Sequence, residues 1–324
     1  MNAAVESEKR TPSISVALCT HDGERFLREQ MDSVLRQTGV DIEVIAFDDA
    51  SRDGTPGLLR EYAARDPRVR CVLNPDNLGP TRSFEYAMAL CRADLIAPCD
   101  QDDVWHPAKL QRLFAALGEA DLIYCDSKYI DERGIPRHGY VSDRRDMLSG
   151  REPLRFVFAN SVSGHASLLR RELFDAARPF PDDLYHDWWL AICAAAHRGV
   201  AYLDQALVQF RRHGGVFSTM GRMAGDSPGQ GDRTWLELCL RRLRLITDRG
   251  LTRDRERDLR LLATLQHAEE GGSRAALLRE IWRAREALTG SNSAVIGAVR
   301  LQRRLLHKLR RAQRERVASF RRSS

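Results

Sequence analysis

The segment Asp100-Gln101-Asp102-Asp103 places three carboxylates within four residues. Like charges at this spacing repel one another, so such a cluster is costly unless a cation lies among them. Carboxylate oxygens suit Mg²⁺ or Mn²⁺, which keep several waters and take up phosphate oxygens of a substrate. A solvated acidic turn before the next helix is the alternative. The segment therefore favours a divalent-metal site.

Two other polar turns follow the first two predicted strands of the chain. Thr20-His21-Asp22-Gly23 follows the first strand, and Asp48-Asp49-Ala50-Ser51 follows the second. Each alone could be an ordinary turn or a helix cap. Together they would present short polar groups, at neighbouring strand ends, that can hydrogen-bond a base and a ribose. The sequence contains neither G-x-G-x-x-G nor G-x-x-x-x-G-K-[ST], so it lacks the dinucleotide fingerprint and the P-loop.

The elements that must position these turns alternate between short apolar runs and helical patterns. Strands are predicted over 14–19, 42–47, 69–73, 94–98 and 122–125, with helices over 26–37, from 55, and over 81–91. The alternation predicts right-handed βαβ units and an α/β fold whose mostly parallel sheet is flanked by helices. Ligands bind at the carboxyl edge of such sheets, where the acidic turns are expected. Further along, the pattern predicts a strand over 162–169 and a helix over 188–198.

The order of these motifs resembles the family 2 glycosyltransferases, which have the GT-A nucleotide-sugar-binding fold. The likeness spans about residues 12–215, and the stretches that carry it are 15–23, 47–55, 74–83, 100–105, 185–189 and 211–214. The forms D-Q-D-D-V-W and H-D-W-W look most like bacterial members that build surface polysaccharides, including rhamnosyltransferase-like ones. The resemblance implies a metal-dependent, inverting transfer of a sugar from a UDP-, dTDP- or GDP-linked donor to a hydroxyl of a glycan or lipid-linked acceptor.

The resemblance also implies roles for the matching positions at the donor site. Asp100 and Asp102 match the D-x-D motif whose carboxylates hold the metal, Mg²⁺ or Mn²⁺, on the donor diphosphate. His213 falls where some GT-A enzymes place a late histidine near the metal, and a simple loop histidine is the alternative. The positions implied to line the nucleotide pocket are Thr20, Asp22, Asp48, Asp49, Arg82 and Asp100.

Asp187 matches the catalytic base of the family, and a helix N-cap is the alternative role. An acceptor hydroxyl is a poor nucleophile unless a positioned carboxylate takes its proton. A single direct displacement inverts the anomeric carbon and needs no protein nucleophile. Gly164, His165 and Trp188 are implied to shape the acceptor pocket, with core packing or a turn as the alternative.

Charge divides the chain unevenly. Residues 235–324 hold 22 Lys and Arg against 10 Asp and Glu, whereas the whole chain has a net charge of only +6. We therefore expect a GT-A catalytic domain over 12–220, a flexible linker over 221–234 and a basic helical extension over 235–324. Apolar and basic residues interleave over 296–320, a pattern suited to an anionic membrane surface. Packing of that helix on the catalytic body or on a second subunit is the alternative.

Composition narrows the location of the protein. The longest apolar runs are far shorter than the roughly 20 residues that a membrane-spanning helix needs. The first ten residues lack the pattern of a signal peptide. We expect a cytoplasmic protein with peripheral contact at the inner face of the membrane. Seven scattered cysteines without a C-x-x-C pair indicate neither a zinc site nor a disulfide framework.

Other functions receive less support from the sequence. A GT-A-like nucleotidyltransferase would need a glycine-rich, basic N-terminal loop, which the residues after the first strand do not provide. A non-catalytic scaffold that retains the fold is a second alternative, although Asp100, Asp102 and Asp187 are all present. His213 replaces the tryptophan of Q-x-x-R-W, the motif of processive polymerases, so processive synthesis is not expected. No aromatic–basic module indicates nucleic-acid binding.

Overall fold

The structure, a computed structural model, describes residues 11–213, 235–289 and 294–323, with side chains described up to residue 310. The chain divides into two compact units. The first contains Met1–Arg145, Ser163–Phe180 and Ala201–Gly214, and the second contains Asp146–Val162, Pro181–Val200 and Gly215–Ser324. Two segments of the predicted catalytic domain therefore group with the C-terminal helices. The predicted linker over 221–234 lies outside the described residues.

One sheet organises the first unit. Its strands are β1 (Ser13–Thr20), β2 (Asp41–Asp49), β3 (Val69–Asn74), β4 (Leu95–Cys99), β5 (Val104–Trp105), β6 (Leu122–Ile130), β7 (Pro136–Tyr140), β8 (Ser167–Arg170) and β9 (Val200–Arg211). They lie in the order β3-β2-β1-β4-β8-β6-β9-β5, and β7 pairs with β6. β1 pairs in parallel with β2 and β4, and β2 with β3, so the carboxyl ends of these four strands share one edge.

The expected parallel sheet is right for these four strands and wrong for the others. The pairs β4–β8, β6–β8, β6–β7 and β5–β9 are antiparallel, which makes the sheet mixed. The predicted strand over 162–169 is a 3₁₀ turn at Gly164–Ala166 followed by the short β8. β9 was not predicted from the sequence. Residues 204–206 in its middle are exposed, which breaks the apolar alternation of a half-buried strand.

Helices follow most strands. In chain order they are α1 (Glu24–Leu35), α2 (Thr55–Arg65), α3 (Pro80–Leu90), α4 (Lys109–Leu117), α5 (Pro153–Phe158), α6 (Arg171–Ala177), α7 (His186–Ala196), α8 (Trp235–Asp248), α9 (Arg255–Glu269), α10 (Arg274–Arg283), α11 (Arg285–Thr289) and α12 (Ala294–Ser323). Proline in the first turn of α2 and α3 suits a helix start, because its fixed φ is helical and its missing N–H has no partner there. The predicted helices near residues 26, 55, 81 and 188 are confirmed within a few residues.

The second unit is helical and contains α5 and α7–α12. The buried residues of α12 include Ala298, Leu305 and Leu309, which recur at helical spacing and give the helix one apolar face. Val295 and Ile296 at its start are more than half exposed. In the described part of the chain, no helix has the length and apolar composition to cross a bilayer. The predicted helical C-terminal region is therefore confirmed.

Candidate active site

The turn after β2, residues 48–51, is called here the β2 turn, and its first carboxylate points into the protein. The Thr20 hydroxyl donates to Asp48 Oδ1 at 2.9 Å. The backbone N–H and the hydroxyl of Ser51 donate to the same carboxylate at 3.0 and 2.5 Å. Ala50 adopts a φ of +61°, in the left-handed region that residues other than glycine rarely occupy. The β2 turn is therefore a fixed support for the end of β1.

Asp49 is also buried, and it holds the loop between β3 and α3. Its two carboxylate oxygens accept the backbone N–H groups of Leu78 and Gly79 at 2.8 and 3.0 Å. Hydrogen bonds from a donor to an ionised carboxylate are stronger than neutral ones. Gly79 has a φ of +77°, a conformation that glycine adopts without strain immediately before α3 begins. Asp49 thus determines the path of the loop over this edge of the sheet.

Residues 21–23 connect β1 to α1 and reach both acidic turns. The backbone N–H of His21 donates to Gln101 Oε1 at 2.8 Å, and Gln101 Nε2 donates to the His21 carbonyl at 3.0 Å. Asp22 Oδ1 accepts the N–H of Arg52 at 2.7 Å. The Asp22 side chain is 48% exposed, so its carboxylate is accessible to a ligand. The middle residue of the D-x-D motif therefore ties the β1 end to the turn after β4.

The turn after β4, residues 100–103, is called here the β4 turn, and its carboxylates differ in exposure. The Asp100 side chain is 39% exposed and that of Asp102 is 17% exposed, whereas Asp103 is completely buried. Asp102 Oδ2 lies 2.8 Å from His213 Nε2. The His213 ring packs against Phe26 with the ring centroids 4.7 Å apart. The structure therefore brings together two of the three predicted metal ligands.

Arg211 at the end of β9 anchors the β4 turn. Its backbone N–H donates to Asp103 Oδ1 at 3.0 Å, and its Nε donates to the Asp102 carbonyl at 2.8 Å. The guanidinium also pairs with Glu29 and lies 4.7 Å from the Phe26 ring centroid. A buried charge requires such partners. Arg211 therefore fixes both the backbone and one carboxylate of this turn.

His165 lies between two carboxylates of the β4 turn. Its Nδ1 is 3.4 Å from Asp100 Oδ2 and 3.6 Å from Asp103 Oδ2. Burial raises the pKa of Asp103 to about 7, although the attraction to His165 opposes this rise. Burial by itself would lower the pKa of His165, but attraction to Asp103 and Asp100 raises it above its usual value. The attraction between His165 and these two carboxylates therefore offsets part of the repulsion inferred from the sequence.

Lys109, the first residue of α4, is a second buried cation beside this turn. Its Nζ donates to the His165 carbonyl at 2.6 Å and lies 3.1 Å from the Trp105 ring centroid. Burial lowers the pKa of Lys109 to about 8, and nearby thiols and the carboxylates of Asp103 and Asp100 oppose the shift.

Gly164 and His165, the residues predicted to contact the acceptor, are both buried. Their contacts with an acceptor stay predictions.

Several side chains in and beside the β4 turn are of the types that hold a divalent metal. The described residues contain one group of three potential metal ligands within 4.8 Å of one another, namely Asp100, Asp103 and His165. Two of these are buried, whereas an ion that also binds a substrate phosphate needs ligands that face solvent. Asp100, Asp102 and His213 are partly exposed, and the carboxylate oxygens of Asp100 and Asp102 suit Mg²⁺ or Mn²⁺. These three are not the group named above, so a metal held by all three stays a prediction.

Arg82 lies in the first turn of α3, two residues after the start of the helix. Its Nη1 pairs with Glu85 Oε2 at 2.7 Å, and the Arg82 side chain is partly exposed. Glu85 is buried and pairs with Arg178 as well. A predicted contact of Arg82 with the nucleotide would therefore compete with this internal ion pair, and it stays a prediction.

The predicted base lies in the second unit. Asp187 is in the first turn of α7, is half-buried, and accepts the N–H of Trp188 at 2.6 Å. Trp188 is 7% exposed, donates its Nε1–H to the Phe156 carbonyl at 2.6 Å, and carries the Arg242 guanidinium 3.4 Å above its ring. This burial favours a packing role for Trp188. The assignments of Asp187 to the base and Trp188 to the acceptor pocket stay predictions.

The sequence of the chain matches the profile of a known protein family. The family profile described as Glycosyl transferase family 2 matches residues 15–177, about half of the chain. The chain belongs to this family. The match includes β1–β4 and both acidic turns, so the resemblance inferred from the motifs is confirmed.

Relatives of this glycosyltransferase extend beyond the matched segment. An uncharacterized protein of Mycobacterium tuberculosis is 29% identical over 245 residues, which are 70% of this chain and 68% of that protein. The structure of Staphylococcus aureus TarS with UDP-GlcNAc has a TM-score of 0.59 at 17% identity, covering 97% of this chain and 92% of that one. The Pyrobaculum calidifontis mannosyltransferase PcManGT with GDP-Man and Mn²⁺ has a TM-score of 0.50 at 16% identity, covering 95% and 88%. The GT-A fold is thereby confirmed.

Three residues that position the site of this glycosyltransferase were missed by sequence reasoning. Gln101 was counted only as the spacer of the D-x-D motif. Lys109 was overlooked, although its spacing of four and eight residues from Leu113 and Leu117 places it on the buried face of α4. Arg211 lies at the end of a strand that was not predicted. Of these, only Lys109 left a signal in the sequence, because a lysine on an apolar stripe needs a buried partner.

Proposed function

We propose that this glycosyltransferase moves a sugar from a nucleoside-diphosphate donor to a hydroxyl of a glycan or lipid-linked acceptor, in one inverting and non-processive step that depends on Mg²⁺ or Mn²⁺. The observation that carries the proposal is the partly exposed pair Asp100 and Asp102 at the carboxyl edge of the parallel strands, with His213 beside Asp102. Donors in two structural neighbours, UDP-GlcNAc in TarS and GDP-Man with Mn²⁺ in PcManGT, support a nucleotide sugar as the substrate class.

In this proposal the donor lies along the edge formed by β1, β2 and β4. Asp22 and Asp100 are the exposed carboxylates that contact the nucleotide. The positions that support the pocket from inside are Thr20, Asp48 and Asp49, which are buried and bonded to one another or to loop backbone. Arg82 would reach the donor by leaving Glu85.

Asp100, Asp102 and His213 would hold the metal. When bound, a divalent cation offsets the negative charge that develops on the leaving nucleoside diphosphate. The protein orders this site before the donor binds. Gln101 connects the β4 turn to the loop after β1, and Arg211 holds the backbone of the β4 turn. Ligands that are already in place lose less conformational entropy when the donor binds.

Asp187 is the proposed general base, which takes the proton of the attacking hydroxyl. The proposal rests on the H-D-W-W motif and on the half-buried carboxylate in the first turn of α7. Its neighbour Trp188 fixes the backbone at this point through the hydrogen bond to Phe156. A general base in position contributes about 10²- to 10⁴-fold to the rate.

The basic helix α12 supports a location at a membrane surface on the cytoplasmic side. Its outward face between residues 296 and 310 carries Ile296, Arg300, Arg303, His307 and Arg310, all of which are exposed. Cationic side chains beside exposed apolar ones suit anionic lipid headgroups. A lipid-linked acceptor, as in bacterial surface-polysaccharide synthesis and with rhamnose as one candidate sugar, would lie at that surface. Sedimentation with anionic vesicles, compared with neutral ones, measures this contact.

Release of nucleoside diphosphate from a panel of UDP-, dTDP- and GDP-sugars, with Mn²⁺ or with a chelator, tests the proposed reaction. We expect release only with metal. Asp102→Asn should weaken metal-dependent donor binding at least about tenfold. Asp187→Asn should spare donor binding and lower transfer by about 10²-fold or more. Asp175→Asn, at an exposed position of α6, is the matched control and should behave like the wild type.

The alternatives give different results in the same assays. A nucleotidyltransferase would instead release pyrophosphate from a nucleoside triphosphate and a sugar phosphate. A scaffold would bind a nucleotide without turnover. Near-normal transfer by Asp187→Asn would contradict the assignment of Asp187 as the base. Equal activity with chelator and with Mn²⁺ would contradict the proposed dependence on a metal.

A further inference from the structure

A buried polar cluster lies next to the exposed carboxylate of Asp100. It consists of Asp103, Lys109, Ser127 and His165, all of which are nearly or fully inaccessible to solvent. His165 is the member that reaches Asp100, because its Nδ1 lies 3.4 Å from Asp100 Oδ2. Burying this many polar groups is unfavourable unless they are paired and hydrogen-bonded. The cluster therefore calls for a role beyond filling the core.

The contacts of the two ring nitrogens define which of them carries a proton toward Asp100. Nδ1 faces only the carboxylate oxygens of Asp100 and Asp103 among its charged partners, at 3.4 and 3.6 Å. An ionised Asp100 carboxylate only accepts hydrogen bonds, so the imidazole that bonds to it carries a proton on Nδ1. Nε2 lies 3.2 Å from Ser127 Oγ, a hydroxyl that can either donate or accept. Nδ1–H therefore points at the carboxylates in both the neutral and the charged imidazole.

The imidazole has little freedom to turn away from this position. Its ring stacks on Phe210, with centroids 4.8 Å apart and an interplanar angle of 17°. The backbone carbonyl of His165 accepts the Lys109 ammonium at 2.6 Å, and Lys109 in turn lies on the Trp105 ring. The backbone is further constrained by the 3₁₀ turn at Gly164–Ala166. The Nδ1–H group that faces Asp100 is thus kept in place by the stacking of the ring on Phe210 and by the constraints on the His165 backbone.

We propose that His165 is a positioning residue for donor and metal binding: its Nδ1–H holds the Asp100 carboxylate in the orientation that receives the metal and the nucleotide. The proposal rests on the function proposed above. Removing that N–H leaves more of the mutual repulsion among the neighbouring carboxylates of Asp100, Asp102 and Asp103, which changes how Asp100 is oriented. Partners that orient a metal ligand typically change metal affinity or activity by 10- to 100-fold.

This role differs from the acceptor contact that the family resemblance implies for His165. The imidazole has both nitrogens directed to partners inside the protein, and 4% of its side chain is exposed. An acceptor-binding residue would change the KM for the acceptor. A residue that positions Asp100 would instead change the affinity for the metal–nucleotide pair and the KM for the donor. The two roles are therefore separated by which substrate loses affinity.

Two substitutions of His165 separate the effect of the Nδ1–H group from the effect of the ring's volume. His165→Leu removes both nitrogens and keeps an apolar side chain in the core. His165→Asn keeps an N–H donor close to the position of Nδ1. Ser127→Ala is the control for the cluster, because it removes the partner of Nε2 and leaves Nδ1 in place. Thermal unfolding of all variants shows whether each one folds.

The binding experiment titrates Mn²⁺ into the full chain with UDP, dTDP or GDP, followed by calorimetry and by the electron paramagnetic resonance signal of free Mn²⁺. We expect His165→Leu to weaken Mn²⁺–nucleotide binding by about 10- to 100-fold. His165→Asn should recover most of this loss, and Ser127→Ala should lose less than about threefold. The KM for the donor should rise in His165→Leu, while the KM for the acceptor should stay within twofold of wild type.

Other results would overturn the inference. Equal Mn²⁺–nucleotide affinity in His165→Leu and wild type, or a loss confined to the acceptor KM, would show that His165 does not position Asp100. Equal losses in the Leu and Asn variants would point to core packing instead of the N–H donor. A wild-type chain that binds no Mn²⁺–nucleotide at all would refute the proposed function, and the inference with it. The first three results refute the inference alone.

Discussion

The β2 turn and the β4 turn follow the two parallel strands that flank β1, and both carry adjacent aspartates, yet they use their carboxylates differently. In the β2 turn, Asp48 and Asp49 are buried and accept hydrogen bonds from Thr20, Ser51 and the loop after β3. In the β4 turn, Asp100 lies beside His165 and Asp102 beside His213, and both carboxylates remain partly exposed. Similar residues thus provide a frame in one turn and the proposed ligand site in the other.

The kind of partner accounts for this difference. Backbone N–H groups and a strand hydroxyl are fixed by the fold, so the carboxylates that accept from them stay in place. The Asp100 and Asp102 carboxylates lie beside histidine side chains and are partly exposed, so a ligand can reach them from solvent. We therefore expect the buried, backbone-bonded carboxylates to contribute to stability and the partly exposed ones to contribute to the proposed binding.

The largest expected effect separates the two turns directly. Asp49→Ala removes the acceptor for two partly buried backbone N–H groups, at Leu78 and Gly79, of which the Gly79 N–H keeps a second acceptor in Asn77 Oδ1. Hydrogen bonds to a charged group contribute about 1.5–3 kcal/mol each, so the loss in unfolding free energy should be about 3 kcal/mol. Urea unfolding followed by circular dichroism measures it.

Asp100→Ala is the matched substitution in the β4 turn. Because its side chain is 39% exposed, we expect a loss of less than about 1 kcal/mol in unfolding free energy, together with weaker Mn²⁺–nucleotide binding. If Asp49→Ala proved as stable as wild type, or Asp100→Ala the less stable of the two, the division between frame and ligand site would be wrong.

How much of this was accessible from sequence follows from the same contrast. β1–β4 and the positions of both turns were predicted, because buried strands are apolar runs and strand ends in parallel sheets share an edge. The sequence could not show which aspartates accept hydrogen bonds inside the protein, because most of their partners are backbone groups and side chains 28 to 111 residues away. Thr20–Asp48 and Asp102–His213 are pairs of this kind, and their distances depend on the completed fold.

The antiparallel half of the sheet was beyond prediction for a related reason. β9 has an exposed centre, so neither alternation nor a continuous apolar run marks it as a strand. Arg211 and His213, which hold the β4 turn, lie at the end of that strand or just beyond it. The motif around them matched the family pattern, but a motif does not indicate which turn its residues contact.

A smaller effect should appear in the pH dependence of stability, through the buried cation beside the β4 turn. Burial lowers the pKa of Lys109 to about 8 from the usual 10.5. Between these values the unfolded chain binds a proton that the folded chain does not, so this contribution to stability rises with pH and is lost as pH falls through about 8. Since one unit of pKa corresponds to about 1.4 kcal/mol, we expect a rise of about 1–3 kcal/mol.

Lys109→Met should remove this rise. The difference in unfolding free energy between wild type and Lys109→Met, measured in urea from pH 7.5 to 10, isolates the contribution of Lys109 from other alkaline changes. Lys128→Met, at a half-buried position of β6, is the control and should leave the rise in place. If this difference in unfolding free energy did not change between pH 7.5 and 10, burial of the Lys109 ammonium would not lower its pKa, and the prediction would be wrong.

The smallest expected effect tests whether the β2 turn is a frame alone. Thr20→Val removes one hydroxyl donor to Asp48 while keeping a β-branched side chain that suits the end of a strand. Asp48 still accepts from Ser51, so the loss in unfolding free energy should be about 1 kcal/mol. The donor KM should change less than threefold, because the Thr20 side chain is buried. A tenfold rise in donor KM at unchanged stability would instead make Thr20 a donor-contacting residue, and the β2 turn would then share the ligand-binding role with the β4 turn.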